Sequence, residues 1–324
     1  MDRTMVIQKN KKYDVVGIGN AIVDLIAEVD DAYLEKNEIS KGAMSLVDYD
    51  IVNKIGNEVN IVKTISGGSV ANSIVCIAQQ NLKTAFIGKV NDDKLGKKFS
   101  EGLIKENVDF KIIKSIASKH TARCIILVST DAERTMSTYL GISQELTEED
   151  IDMSIIEESS ILYLEGYLWD LDNAKKAIKK SITVAKNSST MVVFSISDAF
   201  CVDRFREEFI DLINNSADLI FANESEIKSL FETNELETAI KKCQETDKIF
   251  AITLGDKGAK IIKKSQIINI KAEIIENLVD TTGAGDLFAA GFLSEYIRSQ
   301  NLEFSGKEGV RMASIIIQKF GARL

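Results

Sequence analysis

The stretch "VDTTGAGDLFAAGF", residues 279–292, crowds two threonines, two glycines and two aspartates into seven positions, then turns at once into an apolar, helix-favouring run. Its spacing places Asp280 at the end of a strand and the helix "DLFAAGFLSEYIRS" immediately after the turn. Gly283 and Gly285 give the backbone conformations that side chains forbid. The N–H groups of Ala284, Gly285 and Asp286 then converge at a helix N-terminus, where orphan donors and the positive end of the helix dipole make an anion hole. Asp286, at the rim of that hole, is placed to take a proton from an attacking hydroxyl while the hole stabilises a transferring phosphoryl group. The same spacing also suits a plain helix N-cap on a tight turn.

Outward from this stretch, short apolar runs alternate with longer helical patterns. "YDVVGIG" (13–19) and "TAFIGKV" (84–90) read as strands; "VANSIVCIAQQN" (70–81) and "DKLGKKFSEGLIKENV" (93–108) read as helices. The second half keeps the rhythm: "SILYLEGY", "TMVVFSIS", "ADLIFAN" and "KIFAITLG" are core strands, with "NAKKAIKKSITVAK", "DRFREEFIDLINNS" and "ELETAIKKCQE" between them as helices. This is the pattern of an α/β protein built on right-handed crossovers and a mostly parallel sheet. A ligand site is expected at the carboxyl ends of its strands.

Composition narrows the function classes. The chain has 324 residues, 45% hydrophobic and 27% charged, as in soluble globular proteins. Forty lysines and arginines face forty-nine aspartates and glutamates, for a net charge of −9 with no basic block. That balance argues against nucleic acid or an anionic membrane as the main partner and leaves a small molecule. Four scattered cysteines suggest reduced thiols, and no apolar run has the length of a signal peptide core or a membrane span, so a cytoplasmic location is expected. With His120 the only histidine, no histidine-based metal cluster or Ser-His-Asp triad can be assembled. Proline is absent altogether, so turns fall to Gly, Asn, Asp and Ser.

Two segments break the rhythm. In "TARCIILVSTDAERTMSTYL" (121–140) two strand-like runs flank Asp131, Ala132 and Glu133, a hairpin pattern. The segment from about 22 to 63 carries further β-prone pieces, "AIVDLIAEV" and "GAMSLV" among them. Together they are assigned to a lid, a small β-sheet over a single domain spanning 1–324. Arg134 follows the hairpin turn, where a closing lid brings its guanidinium onto a transferring phosphate, though the same position suits a solvated turn arginine.

The chain resembles the ribokinase-like (PfkB) carbohydrate and nucleoside kinases. Their signature D-T-x-G-A-G-D is matched by Asp280, Thr281, Gly283, Ala284, Gly285 and Asp286, and the resemblance runs from "VVGIGNAIVD" to "ASIIIQKFGAR". It implies a ribokinase-like fold, ATP and Mg²⁺ as cofactors, and Asp286 as catalytic base beside an anion hole of Gly283, Ala284 and Gly285. "SGGSVAN" then corresponds to a sugar-binding glycine loop, with Gly67, Gly68 and Asn72; alone it suits a loop and helix start equally. "GNAIVD" supplies Asn20 and Asp24 to hold vicinal hydroxyls, against a plain strand-ending turn. "ANESEI" matches an N-x-x-E motif in which Asn223 and Glu226 organise Mg²⁺ and phosphate through water; by itself it is a capped helix start. "TLGDKGAK" corresponds to a nucleotide-phosphate loop with Thr253, Gly255 and Gly258, and could equally lead into a hairpin. Relatives commonly carry a proline where this chain has Thr130, and many bind a monovalent cation, so K⁺ activation is implied as well.

"GNxxxD", "DAER" and the "ASIIIQKFGAR" ending are similar to adenosine kinases in particular. The expected activity is therefore transfer of the ATP γ-phosphoryl group to the 5′-hydroxyl of adenosine or a close ribonucleoside. Ile22, Met136, Tyr139 and Leu140 are the expected apolar slot for the base. A sugar kinase of the ribokinase or fructokinase type is the alternative, and a catalytically silent binding protein the alternative of another class. A monomer or weak dimer is expected.

Overall fold

The computed structural model describes residue 7 and residues 11–111, 119–131 and 133–324. Ala132, expected in the hairpin turn, lies outside the described residues. Nine strands form the larger sheet, in the spatial order Gln266–Ile270, Ala259–Lys263, Ile249–Thr253, Leu219–Asn223, Met191–Ser195, Ser159–Glu165, Tyr13–Ile18, Thr84–Ile87 and Val108–Phe110. The seven from Ile249–Thr253 onward pair in parallel, and the first two join antiparallel as a hairpin edge.

Parallel strands with crossover helices on both faces bury every side chain, which is why they read as unbroken apolar runs. Alternation sorts those side chains to two cores. Val15, Ile161 and Tyr163 face a cluster shared with the helices Ser69–Gln79, Ala284–Ser299 and Leu302–Ile316. Val16, Ile18, Leu162 and Leu164 face the helices Asp172–Asn187 and Ala199–Asn215. Helix Ser69–Gln79 lies directly on the strand Tyr13–Ile18: a Cβ at Gly17 would sit 2.5 Å from Val70 Cγ1.

The two segments that break the rhythm form one five-stranded sheet, ordered Met44–Leu46, Arg134–Tyr139, Ala122–Val128, Ile22–Glu28 and Ile61–Gly67. Its last strand runs on to Gly67, beyond position 63, so it leads straight into the glycine pair and helix Ser69–Gln79. One face packs Leu25, Ala27, Ile125, Leu127 and Tyr139 against Leu34, Val52 and Ile55 of the helices Asp31–Lys36 and Tyr49–Glu58. The opposite face, with Ile22, Met44 and Thr138, looks toward the strand ends of the larger sheet.

One local expectation is corrected. No strand precedes the 280–286 turn: residues 271–280 are irregular, and Val279 and Asp280 donate their N–H groups to Ile317 O at 2.8 and 3.1 Å. Their backbone is satisfied by the end of the last helix, so no sheet partner is needed. Among the described residues no helix is long and apolar enough to cross a membrane.

Candidate active site

Asn20, Glu165, Ser197, Asn223 and Thr253 lie at or just past the carboxyl ends of parallel strands, and the small sheet stands over that edge. Between them opens a cavity of about 490 Å³, lined by Asn20, Ser69, Glu165, Tyr167, Asp198, Phe200 and Cys201 from below and by Ile22, Met44, Leu46, Thr138 and Leu140 from the small sheet and its end.

Helix Ala284–Ser299 begins at one end of this space. Its N-cap is Gly283 at φ +80°, a left-handed conformation, and no side chain caps it. The N–H of Ala284 is spent on Thr281 O at 3.1 Å, and Leu287 N–H closes the first helical turn on Gly283 O. Ala284 is therefore not a donor of the hole. The N–H groups of Gly285 and Asp286 donate to no acceptor among the described residues, and a Cβ added at Gly285 would meet nothing within 4 Å. Two orphan donors thus stand at the positive end of a 16-residue helix with open space beside Gly285, an arrangement suited to an anion.

Asp286 is held from across the molecule. Ser69 Oγ donates to Oδ1 at 2.6 Å, Asn72 Nδ2 donates to Oδ2 at 3.0 Å, and Ser73 Oγ donates to its carbonyl at 2.8 Å. Burial nevertheless pushes its carboxyl up to about 6, against the pull of those hydrogen bonds and of Arg323. A carboxylate with that affinity takes a proton from a hydroxyl near neutral pH and stays mostly ionised while it waits.

Asp24 stands on Gly67, where a Cβ would fall 2.4 Å from its Oδ2. Burial raises it to about 6, opposed by Arg323 and Arg134. Its carboxylate makes no hydrogen bond to the described residues, so both oxygens are available to hydroxyls. Asn20 is more committed: its backbone and side-chain N–H groups both donate to Glu165 Oε1, at 2.8 and 2.9 Å, and its Oδ1 accepts from Ser143 Oγ at 2.9 Å. Gly68, at φ +100°, brings its backbone against Asn20: a Cβ there would sit 2.2 Å from Asn20 O.

Arg134 is not a solvated turn residue. Its guanidinium pairs with Asp280 at the seam between the sheets, with only 9% of its side chain exposed, and that carboxyl is lowered despite burial. Thr282 and Gly321 also donate backbone N–H groups to Asp280. Of the four residues expected in the apolar slot, Ile22 and Leu140 line the cavity. Met136 shares the strand face of Arg134 and Thr138 but lies outside the lining. Tyr139 points to the other face, where it meets Tyr49 edge-on at 5.5 Å, so it is corrected to a packing residue of the small sheet. Met44, Leu46 and Phe200 supply the rest of the apolar wall.

Asn223 and Glu226 form a reciprocal capping box: Asn223 Oδ1 accepts from Glu226 N–H at 2.8 Å, and Glu226 Oε2 accepts from Asn223 N–H at 2.9 Å. Burial lifts Glu226 to about 7. Thr253 ends its strand; Gly255 (φ +60°) faces open space, whereas Gly258 (φ +92°) is fixed by the hairpin behind it, where a Cβ would lie 2.1 Å from Ile270 O. The loop is both an approach to the site and the lead into a hairpin.

Two charged residues escaped the sequence reading. Glu165, at the end of an apolar strand, is buried and pushed up to about 7, yet accepts from Asn20 twice and from Val70 N–H at 3.0 Å. A lone carboxylate closing the run "SILYLEG" was the available signal. Arg323 lies in the "GAR" ending, where nothing local marks it; its Nε donates to Asn72 Oδ1 at 3.0 Å.

The pfkB family of carbohydrate kinases matches residues 14–324. The chain belongs to that family. The adenosine kinase of Sinorhizobium meliloti is similar in structure, with a TM-score of 0.89 and 39% identity over 97% of this chain and 96% of that one. A probable sugar kinase from Rhizobium etli superposes as well, with a TM-score of 0.89 and 38% identity over 97% and 95%. A putative sugar kinase of Pyrococcus horikoshii is 27% identical over 312 residues, 94% of this chain and 93% of its own length. The fold is thus ribokinase-like, and the pfkB-family chain is a phosphotransferase acting on a hydroxyl group of a nucleoside or sugar, a reaction for which kinases of this family use ATP.

Proposed function

We propose that this pfkB-family kinase transfers the γ-phosphoryl group of ATP to the 5′-hydroxyl of adenosine or a close ribonucleoside. The observation that carries the reading is the cavity's two-ended chemistry. At one end Asn20 and Ser69 line it, Ser69 bonding Asp286 beside Asp24, Gly67, Gly68 and Asn72, the groups proposed to hold hydroxyls; at the other Ile22, Met44, Leu46, Leu140 and Phe200 make an apolar wall of the kind a flat base requires. The 39% identity to an adenosine kinase adds support.

In this reading Asp24 and Asn72 orient the ribose so that its 5′-oxygen approaches Asp286. The carboxylate accepts the hydroxyl proton as the oxygen attacks the γ-phosphorus. Charge developing on the transferring group is met by the N–H groups of Gly285 and Asp286, preorganised at the helix N-terminus with nothing to rearrange. Arg134, now held by Asp280, is close enough to this seam to exchange that partner for phosphate as the small sheet closes as a lid and excludes water. Thr253 and Gly255 border the approach for the nucleotide.

Both Glu226 oxygens are engaged by its own cap, and among the described residues no group of three His, Cys, Asp or Glu side chains could hold a metal. That donor set fits an ion kept hydrated, as Mg²⁺ prefers, with Glu226 and Asn223 holding its waters. When bound, Mg²⁺ would neutralise triphosphate charge.

The second reading, a kinase for a free sugar such as ribose or fructose, is favoured by the relatives whose names are sugar kinase, ribokinase or fructokinase. The discriminating experiment measures ADP release from Mg-ATP with adenosine, inosine, guanosine, ribose and fructose offered separately, with Asp286→Asn as control. Turnover on adenosine and not on free sugars supports the nucleoside assignment; turnover on a free sugar alone replaces it.

A further inference from the structure

After helix Leu302–Ile316 the chain turns back into the site. Gly321, at φ +92°, donates its N–H to Asp280 Oδ2 at 2.8 Å. Ala322 packs so closely on the 280–286 turn that a Cβ at Gly283 would lie 2.7 Å from its Cα. These two contacts carry Arg323 to the start of helix Ala284–Ser299, where its Nε donates to Asn72 Oδ1 at 3.0 Å. Asn72 Nδ2 in turn donates to Asp286 Oδ2 at 3.0 Å, and Arg323 Nη2 is buried with no hydrogen-bond partner among the described residues.

We propose that Arg323 is a positioning residue for phosphoryl transfer: it fixes the Asn72 amide in the orientation that donates to Asp286, and its positive charge offsets the carboxylates of Asp24 and Asp286. This rests on Asp286 being the proton acceptor of the preceding subsection.

The orienting half follows from donor chemistry. A carboxamide fits its pocket in two orientations, and the flipped one would turn Oδ1 onto the Asp286 carboxylate, acceptor against acceptor. A guanidinium has donors only, held in a rigid plane that fixes Nε on Oδ1 where a flexible ammonium would not, so it selects the amide oxygen and leaves the N–H₂ for Asp286. The electrostatic half follows from the groups that surround Asp286. The charge of Asp286 raises the carboxyls of Asp24 and Glu165, as like charges do, and helps keep the phenols of Tyr163 and Tyr167 neutral; Arg323 is the cation that favours the Asp286 carboxylate, while Arg134 acts on Asp24. Burial lowers Arg323 itself to about 10, opposed by the carboxylates of Asp24, Glu106 and Asp286, which leaves it charged at neutral pH. A residue retained for packing alone would need the length of this side chain and none of its charge.

The test uses the full chain labelled with ¹³C at aspartate carboxyls, without substrate, and follows Asp286 through pH by NMR in the native protein, Arg323→Gln and Arg323→Lys, with Asp286→Asn to assign the resonance. Removing a neighbouring cation destabilises the carboxylate, so in Arg323→Gln the Asp286 midpoint should move to higher pH, by about one to three units. The acid limb of kcat, measured on whichever acceptor the native enzyme turns over, should move with it. In Arg323→Lys the charge remains and the fork is lost: the midpoint stays near the native value while plateau kcat falls roughly ten- to a hundredfold through misplacement. An unmoved Asp286 midpoint in folded Arg323→Gln overturns the electrostatic half, and native plateau turnover in Arg323→Lys overturns the orienting half. If Arg323→Gln does not fold, Arg323→Lys carries the test by its plateau. The titration needs no acceptor, so an enzyme silent toward adenosine would remove the proposed substrate and still leave Arg323 to be judged.

Discussion

Asp286 and Glu226 are each the third residue of a helix that begins near the carboxyl edge of the sheet, and burial raises both carboxyls, to about 6 and about 7. They differ in what satisfies them. Glu226 is closed by its own neighbour: Asn223 caps the helix and Glu226 caps the cap, so the N–H groups of Asn223 and Glu226 and both carboxylate oxygens find partners within four residues. Asp286 follows an uncapped glycine, is held by Ser69 and Asn72 more than two hundred positions away in sequence, and leaves the N–H groups of Gly285 and Asp286 without an acceptor among the described residues. A helix terminus that closes locally is a stability device. One that stays open, with its carboxylate fixed from elsewhere, keeps its donors for a ligand.

Asp286→Asn tests this contrast most strongly. Loss of the base should lower kcat by about 10²–10⁴-fold with acceptor binding retained. Stability should move the other way. The folded carboxyl is raised above its ordinary value, so its stabilising contribution is present at low pH and lost as pH rises through about 6. At pH 8 an ionised, buried carboxylate therefore weakens the native state, and the amide should raise stability by on the order of 1–2 kcal/mol, read as an increased Tm that disappears near pH 4. Equal Tm at pH 8 would show that Asp286 is better solvated than its surroundings indicate.

Gly285→Ala comes next. A methyl at this position meets no protein atom within 4 Å, and alanine in place of glycine in a helix gains about 0.5–1 kcal/mol. The same methyl occupies the space before the open donors. The expected result is a variant slightly more stable than the native chain, with kcat/KM for ATP reduced about tenfold or more, an order set by the loss of one such donor contact. A stabilised variant with native turnover would mean that nothing occupies the space during the reaction.

The same contrast explains what could be read from the sequence. The larger sheet was legible because each strand is buried on both faces and so appears as a short apolar run between helical periods. The glycines and Asp286 were legible because their spacing is local. Tyr139 was misplaced because alternation along "RTMSTYL" separates two faces without saying which one meets the cavity; only pairing with the strand Ala122–Val128, Arg123 opposite Tyr139, decides it. The strand expected before Asp280 failed because the partner of Val279 and Asp280 is Ile317, a carbonyl distant in sequence and close in space. Glu165 and Arg323 are of the same kind: each is defined by partners near 20, 70 or 286, and no window of neighbouring residues contains them.

Asn223→Ala carries the smallest expected effect and makes the comparison quantitative. The substitution removes a side chain that accepts from Glu226 N–H at 2.8 Å and donates to Glu226 Oε1 at 2.6 Å. The helix it caps, Glu224–Leu230, is short, and it buries Ile227 and Leu230 whether capped or not. A cap replaced by alanine costs about 1 kcal/mol, so chemical denaturation should shift its midpoint by that amount with the slope unchanged. Loss of the Asn223 side chain also removes one of the groups that hold Glu226 ionised, and the carboxyl already stands at about 7. Its proton affinity should therefore rise further, and the Mg²⁺ concentration giving half-maximal turnover should rise with it, most clearly below pH 7. A stability loss with an unchanged Mg²⁺ requirement would confine Asn223 and Glu226 to capping and sharpen the division between the closed terminus and the open one. A change in both would show that the closed terminus also serves the metal.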